Sequence, residues 1–195
     1  MSLRNTIKNI VQILSALIIA PVTLSYYLLS FIFTPDSLLS GYSQLLSLVP
    51  GKVGVYLRAG FYRFTLAACS PDVVISFAVL LSQTDIDISS GVYIGPQCNI
   101  GKCAIGKDTL LGSGVHIMSG KGQHNFDQLD IPIREQGGSF VKVIVGQNCW
   151  VGNSALIMSD IGNNCVVAAG SVVIEKIPDN SIVAGNPARI IKTRS

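Results

Sequence analysis

Across much of this 195-residue chain an aliphatic residue returns at about every sixth position. The series runs Ile88, Ile94, Ile100, Ile105, Leu111 and Ile117, then after a gap Val145, Val151, Ile157, Ile161, Val167 and Val173. A helix repeats its buried face at about 3.6 residues and a strand at 2, so a period near six requires a chain that turns a corner after each short strand. Gly follows the aliphatic residue at Gly95, Gly101, Gly106, Gly112, Gly146, Gly152 and Gly162, where a backbone without Cβ tolerates a tight bend. Four residues after the aliphatic stands a small or slim side chain: Val92, Cys98, Ala104, Thr109, Val115, Cys149, Ala155, Cys165 and Ser171. Three hexads close one triangular coil, and stacked coils bury the aliphatic column in a prism. The positions named make about four coils, enough for units that bury a core only by stacking. The short steps Ile100 to Ile105 and Ile157 to Ile161 predict locally irregular corners. The fold class is therefore mainly β, a parallel β-helix.

Between Ile117 and Val145 the repeat breaks for about twenty-seven residues, 118–144. A long excursion from a regular solenoid is more often a functional loop than an accident. It carries His124, and His is scarce here, the other being His116. An imidazole is the side chain whose ordinary pKa best suits proton abstraction from an alcohol near neutral pH. Gln123 and Asn125 are substrate-binding candidates by position. Asp127 or Glu135 can orient the ring or hold a substrate, and each equally fits a solvated loop carboxylate. Arg134 pairs either with its surroundings or with an anionic ligand. Alternation points His116 and Trp150 outward from their coils; His116 reads as structural or peripheral.

The phrases VGQNCWVGNSALIMSDIG and VVAAGSVVIEKIPDNSIVAGNPARIIK, with SGKGQHNFD in the gap, resemble the hexapeptide-repeat acyltransferases, above all the sugar O-acetyltransferases of surface-polysaccharide pathways. The resemblance covers Ile88 to Lys192. It implies a left-handed parallel β-helix, a homotrimer, and acetyl-CoA as donor bound between subunits. It also implies that His124 is the catalytic base and that Trp150 either walls the acyl-donor tunnel or packs against a neighbouring subunit. The pantetheine arm is expected along Ala168, Ala169 and Gly170. Lys176, Arg189 and Lys192 are placed to meet the coenzyme phosphates, where charge-assisted donors are needed. Gly185, Asn186 and Pro187 shape the turn that aims them. The implied reaction is direct transfer of acetyl to a sugar or glycan hydroxyl. The same His serves N-acetyl transfer to an amino sugar, and a non-catalytic membrane-bound β-helix scaffold is the rival from another class.

Ahead of the repeat, Ile10 to Phe33 is an apolar run, with no charged residue between Lys8 and Asp36. As a helix it reaches about 36 Å, enough for a hydrocarbon core of ~30 Å. A simple span with Arg4 and Lys8 in the cytoplasm would carry the catalytic domain away from its donor. Pro21 removes one backbone hydrogen bond, which favours a re-entrant or interfacial segment at the cytoplasmic face of the inner (plasma) membrane. Residues 1–36 thus form a membrane-associating segment and 37–72 two amphipathic helices, with Ser37 as a possible N-cap. Lys52, Arg58 and Arg63 lie beside the second apolar stripe, as suits a helix over anionic headgroups or one capping the prism. Val73 to Asp87 is expected as an irregular first coil, so the β-helix domain is drawn as 73–195.

Composition closes off other classes. A net charge of +3 without a basic, aromatic-interleaved patch argues against nucleic acid. Five Cys, none in CxxC spacing, suit compact core residues in a reducing compartment. A metal hydratase on a β-helix needs three His ligands and the chain has two, so no metal is expected.

Overall fold

The computed structural model describes residues 3–194. Helices α1 (Leu3–Leu29), α2 (Pro35–Ser47) and α3 (Gly51–Thr65) precede a left-handed parallel β-helix of about six turns. Face A stacks Ala68–Cys69, Asp87–Ile88, Cys103–Ile105 and Val143–Val145, continued by parallel bridges at Ile161 and Ile177. Face B stacks Val74–Ile75, Tyr93–Ile94, Leu110–Leu111, Trp150–Val151, Val166–Val167 and Ser181–Gly185, then the antiparallel Ala188–Thr193. Face C stacks Leu80–Leu81, Asn99–Ile100, His116–Ile117, Leu156–Ile157 and Val172–Val173. All twelve repeat aliphatics are buried.

The solenoid begins earlier than the hexads suggest. Most of Val73–Asp87 is regular: Cys69, Ile75 and Leu81 hold the six-residue phase on faces A, B and C, and the irregularity expected there is confined to the step from Leu81 to Ile88. The first coil therefore opens at Ala68, inside the stretch 37–72 assigned to helices. Every departure from six falls at the corner from face C to face A. Leu81 to Ile88 is long, Ile100 to Ile105 and Ile157 to Ile161 are short, and the loop leaves there too. The short steps also explain one misplaced residue. The inward partner stands two residues before each aliphatic, as strand alternation demands, so Cys103 is buried and Ala104 faces outward.

The Gly residues after the aliphatics are not where the chain bends. Left-handed φ occurs three residues past the aliphatic, at Ala78, Gln97, Asp108, Asn148, Ser154, Asn164 and Asn180. Asn suits that conformation, and Asn148, Asn164 and Asn180 stack as a side-chain ladder at 2.9 and 3.0 Å along one corner. Gly106 and Gly152 serve a different need: a Cβ there would lie 2.5 Å from backbone atoms of the next coil. Coils can close to strand spacing only if those positions carry no side chain.

The helices cap the first coil, whose open edge would otherwise expose unpaired amides. Ser43 Oγ accepts from the Leu81 amide at 2.8 Å and from the Tyr62 hydroxyl at 2.9 Å. Asp36, not Ser37, works at the start of α2; the N-cap position is Thr34, and Asp36 accepts from the Thr84 amide and hydroxyl, both at 2.7 Å. Arg58 does not face headgroups. It is fully buried and donates to the carbonyls of Leu46 (2.9 Å), Val49 (2.8 Å) and Ile75 (2.9 Å), closing the C-terminal end of α2 onto the first coil. A cation there also meets the negative end of the helix dipole. Tyr26, Tyr42, Phe61 and Tyr62 pack on one another among the helices with ring centroids 5.5 to 5.9 Å apart.

Helix α1 runs through Pro21 without breaking, so it is not a hairpin. Ser15, Ile19, Thr23 and Tyr26 form its narrow buried stripe. At the α1–α3 crossing a Cβ on Gly60 would sit 3.2 Å from Ala16 Cα. Its other faces leave Leu17 65%, Ile18 69% and the following Phe31 88% exposed.

Candidate functional site

The loop after Ile117 leaves the prism and folds back on itself. Its two arms are tied by Val141 N–H to Ser119 O (2.9 Å), Ser139 N–H to Gly122 O (2.7 Å) and Asn125 N–H to Gly137 O (2.9 Å). Gln136 holds the tip together, donating to the carbonyls of Gln128 and Ile131 at 2.7 Å. The folded arms close a hollow of about 460 Å³ against face C. Its walls include Asn99 and His116 from adjacent coils, Leu156 from the next, and Ser119, Gln123 and Phe140 from the loop.

His124 stands exposed at the rim, one residue beyond the lining Gln123. Asn125 is turned to the loop itself, donating to Gln136 O at 3.1 Å. Glu135 pairs with its neighbour Arg134 at 3.3 Å, so it does not orient the His124 ring, and Arg134 takes its carboxylate from the loop. Asp127 is exposed. His116 does point outward and stays exposed, and the loop beside it makes it a wall of the hollow. His116 read as structural or peripheral in the sequence, and Asn99, Ser119 and Phe140 were not singled out there. Aligning outward positions across coils puts Asn99 and His116 in register, and that was the available signal.

Gly138 fixes the loop's rim. A Cβ at this position would overlap the Gln123 carbonyl oxygen and lie 2.8 Å from the His124 amide, so any side chain must push that segment aside. Gly138→Ala is expected to lower turnover by roughly 10²-fold, the scale of a misplacement near 1 Å, with the thermal midpoint nearly unchanged because the loop is exposed. Paired activity and melting measurements check this.

The residues expected to meet the donor are only partly brought together. Trp150 stands outward on face B, 58% exposed, with Leu110 and Val166 beside it on adjacent coils. Ala168, Ala169 and Gly170 form the corner from face B to face C. The Ala168 and Gly170 amides are spent on Val183 O and Asn153 O, and among the described residues the Ala169 amide donates to no protein acceptor. Arg189 and Lys192 lie on the antiparallel strand that ends face B, opposite Ala184 and Ile182. Lys176 stands apart, immediately before Ile177 on face A.

Covalent catalysis by Cys has no support in the geometry. Burial pushes the Cys69 and Cys103 thiols up to about 12 and those of Cys98 and Cys149 to about 11, so none is a thiolate near neutral pH. Among the described residues no cluster of His, Cys, Asp or Glu is placed to hold a metal.

No family model matches the chain, and no curated protein matches it. Solved structures do. A hexapeptide-repeat acetyltransferase from Vibrio cholerae, VCA0836, superposes with a TM-score of 0.63 at 18% identity, covering 84% of this chain and 95% of that one. A maltose O-acetyltransferase from Clostridium difficile gives 0.56 at 20% identity over 84% and 90%. AntD, an N-acyltransferase from Bacillus cereus in complex with a dTDP-amino sugar and coenzyme A, gives 0.55 at 22% identity over 63% and 70%. By fold, this chain is a β-helix of the kind these hexapeptide-repeat acyltransferases share.

Proposed function

We propose that this protein is a membrane-associated acyltransferase that moves acetyl from acetyl-CoA to a hydroxyl of a sugar or glycan intermediate. One observation carries the reading: the long excursion from a regular solenoid brings His124 to the rim of a hollow that is large enough for a sugar and has Asn99, His116, Ser119 and Gln123 in its walls. The acceptor hydroxyl would lie against Asn99, His116 and Gln123. His124 would take its proton as the oxygen attacks the thioester carbonyl, and collapse of the tetrahedral adduct would break the C–S bond and return that proton to the departing coenzyme A thiolate. Protein N–H groups would carry the oxyanion, and such preorganised donors supply much of the rate enhancement in acyl transfer. Coenzyme A would lie along Trp150, the Ala169 amide and the Arg189–Lys192 end. Among the structural neighbours, AntD is seen with coenzyme A and an amino sugar, which supports a coenzyme A donor and a sugar acceptor, and the maltose O-acetyltransferase supports transfer to oxygen.

A homotrimer would complete the site. His124 faces solvent, and Tyr93, Leu110 and Trp150 leave an apolar ladder exposed on face B, a surface a partner subunit would cover. Acetyl transfer to a panel of sugars, followed by CoA release, tests the reaction; a panel of amino sugars run in parallel reports N-transfer instead.

Membrane association rests on α1. Thr6–Leu29 is long and apolar enough to cross a bilayer, yet it is fastened to the cap by Gln12 to Pro71 O at 2.6 Å, by the Gly60–Ala16 contact and by Tyr27 to Phe64 O. Those ties cover residues 12 to 27, about 22 Å of helix at 1.5 Å per residue. They favour a helix lying in the cytoplasmic interface over one that leaves the domain to span. Full-length protein is expected in the membrane fraction, and deletion of residues 1–36 is expected to release most of it. Intact protein recovered in the soluble fraction after low-salt lysis would rule this out.

A further inference from the structure

We infer that the cleft between α1 and α3 is a binding site for one anionic phospholipid of the bilayer, a reading that rests on the membrane association proposed above. Two hollows adjoin there. The larger, about 390 Å³, is walled by apolar side chains including Val11, Leu14, Ile18, Val53 and Leu57. The smaller, about 210 Å³, is bordered by both Lys8 and Lys52. Lys52 and Tyr56 line both, so the apolar trough runs directly into the cationic end. An acyl chain needs the first and a phosphate the second.

The charges suit that occupant. Among the described residues neither lysine forms an ion pair with a carboxylate, whereas Lys102, Lys107, Lys121 and Lys142 each do. Asp72 also borders the cationic end, but its two oxygens already accept from Ser70 Oγ at 2.7 Å and Gly91 N–H at 3.2 Å. Val53, 67% exposed, and Ile18 extend the trough into the apolar surface that would meet lipid. The groove on the other side of α1, between Ser25 and Tyr42, has no cation in its walls, and the contrast marks this cleft as the one built for a charged headgroup. A lipid seated here would tie α1 to α3 at the membrane surface.

The test is native mass spectrometry of the full chain in detergent, with phosphatidylglycerol and phosphatidylcholine supplied in equal amounts. One phosphatidylglycerol per chain is expected to be retained in preference to phosphatidylcholine. The double variant K8Q/K52Q is expected to weaken it roughly 30-fold, the equivalent of about 1 kcal/mol per basic side chain. Val53→Trp, which fills the trough, should weaken both lipids, and Lys107→Gln should change neither. Equal retention of the two lipids, or undiminished phosphatidylglycerol binding by K8Q/K52Q, overturns the site. Sedimentation with neutral phosphatidylcholine vesicles separates the two readings. Binding to them without any phosphatidylglycerol preference removes the lipid site alone, and failure to bind any vesicle removes both.

Discussion

Replacing His124 with Ala is expected to reduce acyl transfer roughly 10²- to 10⁴-fold, the range a positioned general base supplies, while coenzyme A still binds. The residues proposed to hold the donor lie on face B and its corner, away from the loop that carries His124, so loss of the imidazole should leave the donor KM near its wild-type value. Burial keeps the chain's Cys thiols protonated, so no second nucleophile is on hand to restore the rate. His116→Ala makes the informative comparison. Its ring lines the hollow between Asn99 and Leu156, and its loss should raise the acceptor KM more than it lowers kcat. Near wild-type turnover by His124→Ala, with His116→Ala inactive, would transfer the base to face C. Steady-state kinetics in both substrates reads the difference.

The largest stability effect is expected at Arg58. Arg58→Ala would leave the carbonyls of Val49 and Ile75 without their side-chain donor in a buried site and that of Leu46 with only the Val49 amide at 3.3 Å. Each such orphan costs ~1–3 kcal/mol, which puts the total on the order of 3–5 kcal/mol once some carbonyls find other partners. For a chain of this length that corresponds to a fall in thermal midpoint of roughly 6–20 °C. Helix α2 and the first coil should loosen before the later coils, because Arg58 joins those two elements directly. Hydrogen exchange at Leu81, whose amide is held by Ser43, reports that local opening. A midpoint within 2 °C of wild type, on the order of 0.5–1 kcal/mol at this size, would show that the cap does not depend on this side chain.

The faces of the prism were legible because burial of one aliphatic per six residues is imposed at every coil, and no local accident can mask a pattern repeated so often. Where the chain is free of that demand, the letters said less. The face C to face A corner absorbs insertions and deletions, so counting forward across it placed Ala104 inward where Cys103 lies. The Gly residues after each aliphatic were visible, but their reason was not. The bend belongs to Asn148, Asn164 and their equivalents, while Gly106 and Gly152 answer to a neighbouring coil that no local window contains. Arg58 looked like one of three cations beside an apolar stripe. Its inward turn is set by carbonyls at the end of α2 and on the first coil, contacts 9 to 17 residues distant. At the candidate site, His124 was marked by its place in the one long loop. The hollow was not, because it exists only once that loop folds back over Asn99 and His116.

Acyl transfer requires that this solenoid hold an acyl-coenzyme, and titration of coenzyme A into the full-length protein in mild detergent measures that directly. The expected result is saturable binding of one coenzyme per chain, weakened roughly 10²-fold or more when Arg189 and Lys192 are both replaced by Gln, since each charge-assisted phosphate bond is worth about 1.5–3 kcal/mol. His124→Ala should bind as the wild type does. An absence of both heat and thermal stabilisation with coenzyme A and with acetyl-CoA would contradict the acyltransferase reading.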